Sequence, residues 1–125
     1  MPQRRTKGAK LKVFSGREAR LNRVILLIYR SNKLLAKYDA LLEIRKIKGF
    51  KHEDSKTVYR RIEALNKEGF LSKQGFKKTQ PGWESSLYEL TLKGKAALKL
   101  DEKNLEEFLL KATDEQLLKL MDALS

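Results

Sequence analysis

The segment Asp54–Leu71 constrains the fold more than any other part of the chain. Val58, Ile62 and Leu65 recur at i, i+4 and i+7, which places them on one stripe of a helix. Asp54 or Ser55 offers an N-cap and Gly69 a stop, so both ends are signalled independently of the periodicity. The spacing predicts a helix over about 56–68. Its other side carries Lys56, Thr57, Tyr59, Arg60 and Glu63. Such a helix must bury the stripe and present the polar side outward. Phe70-Leu71-Ser72-Lys73 then begins a strand.

Similar signals place the remaining elements. Ser15-Gly16-Arg17-Glu18 matches a capping box, followed by Leu21, Val24, Ile25 and Ile28, predicting a first helix over about 16–30. Leu34–Lys37 reads as a short extended link or a one-turn strand. Asp39 caps a second helix, about 40–48, with Leu41, Leu42 and Ile44 or Ile47 as its apolar face and Gly49 beyond its end. His52 falls in the turn that follows. Pro81-Gly82 suits a type II turn between strands, and Leu87–Thr91 returns as the second strand. Gln74-Gly75 marks either a bulge or an earlier turn. Thr91 caps a fourth helix, about 92–100. Gly94 inside it costs about 1 kcal/mol relative to Ala, which points to packing or a close backbone approach. Thr113-Asp114-Glu115-Gln116 is a second capping box in an acidic, amphipathic tail.

Composition narrows the chemistry. The chain has 125 residues, no Cys, one His and a net charge of +12. One His and no Cys leave no ligand set for a thiolate zinc site and disfavour a Ser-His-Asp triad. No GxGxxG, P-loop or nucleophile–base spacing is present, so no catalytic residue, metal or cofactor is expected and an enzyme is disfavoured. Val24–Tyr29 is the longest apolar run, far below the about 20 residues that span a bilayer, and no export signal is evident. The charge is segregated. Residues 1–100 hold 25 basic and 9 acidic side chains, while residues 101–125 hold 3 and 7. A body of +16 beside a tail of −4 points to a polyanionic partner, nucleic acid before membrane.

The order helix, short strand, helix, helix, hairpin, helix resembles a winged helix-turn-helix, mainly α with a small β-hairpin and extra C-terminal helices. Three segments carry the resemblance. Asp54–Leu71 is similar to a recognition helix running into the first wing strand. Tyr88-Glu89-Leu90-Thr91-Leu92-Lys93-Gly94 is similar to the run that joins wing to final helix. Lys37-Tyr38-Asp39-Ala40-Leu41-Leu42 is similar to the start of the second helix. The resemblance covers about 18–100 and is to PadR-like and MarR-like transcription regulators. The Lys- and Glu-rich composition looks archaeal, with a plasmid or viral origin open. The resemblance implies a DNA-binding domain over 15–100; the basic N-terminal arm over 1–14 and the amphipathic, acidic and expectedly dimerising tail over 101–125 lie outside it.

The expected interface follows from groove dimensions. A helix of about a dozen residues fits the major groove, about 12 Å wide. Ser55, Lys56 and Thr57 would then lie in the first turn. Arg60 would contact guanine or clamp a phosphate, Tyr59 would donate to a phosphate or pack on the second helix, and Arg61 would suit the backbone. Lys73, Lys77, Lys78 and Gln80 on the wing would meet phosphate or the minor groove. Trp83 would either wedge into the groove or staple the strands. Leu105, Phe108, Leu109, Leu117, Leu120, Met121 and Leu124 would bury themselves in a homodimer or fold back onto the first helix. The function expected is a cytoplasmic, sequence-specific regulator of double-stranded DNA. A protein-interaction or RNA-binding module is the alternative.

Overall fold

The computed structural model describes residues 11–80 and 83–125. Most of the expected basic arm (residues 1–10) and the Pro81-Gly82 turn lie outside the described residues. So do the side chains of Gln80 and Trp83, and with them the contacts expected of those two residues.

Helices α1 (Ala19–Ser31), α2 (Lys37–Arg45), α3 (Ser55–Lys67) and α4 (Leu92–Glu102) surround one core, with α5 (Leu105–Lys111) and α6 (Asp114–Leu124) beyond it. Strands β1 (Leu35–Ala36), β2 (Leu71–Gln80) and β3 (Trp83–Leu90) form an antiparallel sheet in the order β1-β3-β2. The short extended link is thus a strand, pairing Leu35 with Tyr88 and Ala36 with Leu87. It gives the hairpin a third strand and ties the wing to α2. Leu21, Ile25, Leu26, Ile28 and Tyr29 of α1 meet Val58, Ile62 and Leu65 of α3, Leu41 and Ile44 of α2 and Tyr88 of β3.

Three boundaries differ from the sequence reading. Lys12–Phe14, expected in the arm, form a 3-10 turn that buries Val13 and Phe14 in the core. The capping box at Ser15 does not form. The Ser15 hydroxyl donates to the Lys12 carbonyl at 2.9 Å, Gly16 adopts φ +79°, and α1 begins only at Ala19. A short polar side chain here closes the preceding turn instead of capping the following one. Helix α2 starts at Lys37, because β1 delivers the chain directly into it; Asp39 stands within the first turn rather than capping it. The helix ends at Arg45, leaving Leu42 and Ile47 exposed while Leu41 and Ile44 are buried.

Candidate nucleic-acid interface

Helix α3 is fixed at both ends. The Asp54 carboxylate accepts the Thr57 amide at 3.0 Å and its hydroxyl at 3.1 Å. These bonds hold the Asp54 carboxyl below the usual carboxylate range. The Arg45 guanidinium donates twice to the Glu53 carbonyl, at 2.9 and 3.2 Å, closing the turn between α2 and α3. At the far end, the Lys93 ammonium donates to the Glu68 carbonyl at 2.7 Å and lies 4.9 Å from the Phe70 ring. A cation on the last carbonyls of a helix also complements its dipole. The Thr91 hydroxyl donates to the Gly69 carbonyl at 2.6 Å and accepts the Gly94 amide at 3.0 Å. Gly94 has no room for a Cβ, which would collide with the Phe70 carbonyl and the Leu90 side chain. The Tyr88–Gly94 run therefore welds α4 to the end of α3. The sequence shows the pattern, and the structure shows that its task is positioning.

At 100° per residue, Lys56, Arg60 and Lys67 fall opposite the buried stripe, with Glu63 beside them. All four are exposed. Lys67 was missed in the sequence reading, although the same periodicity predicts it. Ser55 is half-buried at the helix start, and the Thr57 hydroxyl is engaged by Asp54. Tyr59 is half-buried against the core, and burial raises its phenol pKa, so it stays neutral.

Arg61 points elsewhere. Its Nε donates to Asn22 Oδ1 at 3.0 Å and its terminal nitrogen pairs with Glu18 at 3.0 Å. Asn22 is buried and donates in turn to the Val13 carbonyl at 2.8 Å. Arg61 thus lies on the α1 side of α3, joining three segments, and stands apart from the Lys56–Arg60 row. The expected phosphate contact would have to be made beside these bonds.

The wing places Lys73, Lys77 and Lys78 in the open. The alternative of a bulge at Gln74-Gly75 is the one realised: the register shifts between Lys73 and Phe76, and Gly75 takes φ +119°. Phe76 is left two-thirds exposed on the wing. Two ion pairs join α2 to its neighbours on this side. Lys77 meets Asp39 at 3.0 Å, and Lys37 meets Glu63 at 2.5 Å. The Lys37 bond holds the Glu63 carboxyl below the usual range. Between α2, α3 and the sheet lies a cleft of about 310 Å³ lined by Lys37, Tyr38, Tyr59, Glu63 and Lys73 among others. Lys37 is a further missed member of this surface, brought there only by the β1–β3 pairing.

The tail is helical and capped as expected, with Thr113 and Gln116 forming a reciprocal box. No residue of α5 or α6 is buried, and none belongs to the core cluster. Leu109, Leu120, Met121 and Leu124 are exposed, as are Leu110 and Leu118; Leu105, Phe108 and Leu117 are half-buried. The fold-back onto the first helix is not formed. The junction is held by Arg23, whose guanidinium grips Asp101 at 2.6 and 3.1 Å and lies 5.1 Å from the Phe14 ring.

A basic helix beside a basic antiparallel wing defines a winged helix, and solved structures agree. A PadR family transcription regulator from hypervirulent Clostridium difficile matches over 82% of this chain and 96% of its own, at 17% identity and TM-score 0.52. Bacillus subtilis PadR, solved in complex with operator DNA, matches over 86% of this chain and 60% of its own, at 22% identity and TM-score 0.57. A PadR family regulator from Eggerthella lenta matches over 75% and 86%, at 17% identity and TM-score 0.55. The chain therefore has the winged-helix fold found in PadR-family transcription regulators. No family model and no curated protein matches the sequence. None of these three structures is named as archaeal, plasmid-borne or viral, so the origin read from composition gains no support. Among the described residues, no helix is long and apolar enough to cross a membrane.

Proposed function

We propose that this chain is a sequence-specific regulator of transcription that binds double-stranded DNA by occupancy, without chemistry on the nucleic acid and without a cofactor. The observation that carries this reading is the exposed row Lys56, Arg60 and Lys67, set opposite a fully buried stripe and flanked by Lys73, Lys77 and Lys78 of the wing. Helix α3 enters the major groove, where Lys56 and Arg60 read base edges, and the wing lysines neutralise phosphates. The winged-helix neighbour solved with operator DNA supports the same use of the fold. Duplex RNA fits less well, because its deep, narrow major groove does not admit a helix. The unpartnered apolar faces of α5 and α6 support a homodimer matched to a twofold operator. A regulator of this kind acts in the cytoplasm.

Selection from a random duplex library, followed by binding titrations in rising salt, tests the proposal. We expect a preferred duplex, with affinity falling steeply as salt rises. Lys56→Ala with Arg60→Ala should flatten the preference, whereas Lys77→Ala with Lys78→Ala should weaken all duplexes alike and make the salt slope shallower. Absence of duplex binding at low salt would refute the reading, and equal affinity for duplex RNA would redirect it.

A further inference from the structure

The proposed DNA face is not uniformly basic. Asp39 and Glu63 lie within it, each paired with a lysine of another segment. The Asp39–Lys77 contact joins the first turn of α2 to the wing, with Lys77 about half exposed and Asp39 31% exposed. Exposed pairs of this kind hold a fold only weakly. The sheet pairing of β1 with β3 already joins α2 to the wing. Among the described residues, Lys73 and Lys78 make no ion pair. Lys77 is therefore the wing lysine whose charge is already taken.

Resting on the reading of the chain as a duplex-DNA binder, we propose that Asp39 is a positioning residue that sets the strength of the wing's contact with the DNA backbone. By holding Lys77, it offsets one wing cation and makes that lysine's contact with phosphate more costly on every duplex. A carboxylate and a phosphate offer the Lys77 ammonium the same kind of anionic oxygen. To reach a phosphate, Lys77 must leave Asp39, which then stands unpaired beside the negative charge of the duplex. This cost is the same on every sequence. It therefore lowers the affinity for operator and for random sequence by the same factor and leaves their ratio unchanged. Glu63 is a weaker candidate for the same role, because it stands on the outer row of α3, where its oxygens could accept from a cytosine amino group. Asp39 lies on α2, away from that row, so its effect passes through Lys77.

The test is a salt series by fluorescence anisotropy, using the full chain with a labelled random-sequence duplex and with the selected operator. Asp39→Asn preserves shape and removes the charge. It should bind the random duplex and the operator more tightly than wild type, by about the same factor. Its affinity should also fall about 3.5-fold further between 50 and 200 mM salt, the effect of one additional phosphate contact at a slope of about −0.9. Asp39→Ser should give the same steepening. Lys77→Ala in the Asp39→Asn background should abolish both the gain and the steepening. An unchanged slope in both Asp39 variants, or a gain that survives Lys77→Ala, would overturn the inference while leaving DNA binding intact. Failure of wild type to bind any duplex would overturn the function and this inference together.

Discussion

Replacing Arg61 by Ala separates a structural arginine from a DNA contact. In the folded chain Asn22 is 3% exposed, and its side-chain oxygen accepts from Arg61 Nε at 3.0 Å. Truncating Arg61 leaves that oxygen buried without its donor, a cost of about 1–3 kcal/mol. The pair with Glu18, itself 40% exposed, adds less than about 1 kcal/mol. A loss of about 2–3 kcal/mol is expected, a large share of a typical domain's stability of about 5–15 kcal/mol. Urea unfolding followed by circular dichroism measures it. Asn22→Ala should be non-additive with Arg61→Ala, because each removes the other's partner. At temperatures where the variant stays folded, the salt slope of duplex binding should match wild type. Unchanged stability together with a slope shallower by about 0.9 would refute the reasoning and return Arg61 to the phosphate backbone.

Other outcomes follow from the same geometry. Gly94→Ala gains about 1 kcal/mol in helix propensity, yet its Cβ meets a carbonyl held by the Thr91 amide, and overpacking costs about 1–3 kcal/mol; a net loss of up to about 2 kcal/mol is expected, and a stability gain by chemical denaturation would contradict it. Asp54 and Glu63 have depressed folded-state pKa values, caused by hydrogen bonds from Thr57 and Lys37 respectively. Their stabilisation is complete above the unfolded carboxylate pKa of about 4 and is lost as pH falls through the folded values. The urea midpoint should therefore drop from pH 5 to pH 3, and drop less in Asp54→Asn; identical pH profiles would exclude the cap as a cause. Leu117→Glu with Met121→Glu should convert a sedimenting dimer to a monomer while leaving unfolding of the core unchanged, and a wild-type mass equal to one chain would dismiss the dimer.

Helix α3 and the Tyr88–Gly94 run were legible because their signals are local. A cap, a 3.6-residue stripe and a terminating glycine act within a few residues, and each agrees with the others. The outer row of α3 follows from that stripe by geometry alone, so Lys67 could have been found by extending the count one turn. Ser15 misled because one hydroxyl had two local partners available, and the buried Phe14 turn decided between them. The partners of Arg61 were not legible, because periodicity gives an angle around a helix but not what stands at that angle. Asn22 of α1 and Glu18 just before it stand there.

What the sequence by itself determined is the set of elements, the basic body with its acidic tail and the buried stripe of α3. These depend on spacing and composition, which are properties of one dimension. Tertiary structure decided which cations are free and which are held. Lys37, Asp39, Glu63 and Lys77 lie on three elements separated by up to 40 positions, and they meet only because β1 joins the sheet and seats α2 beside the wing. Charge pairing depends on distance in space, falling off over a few ångströms, so it has no signature in the order of residues along the chain.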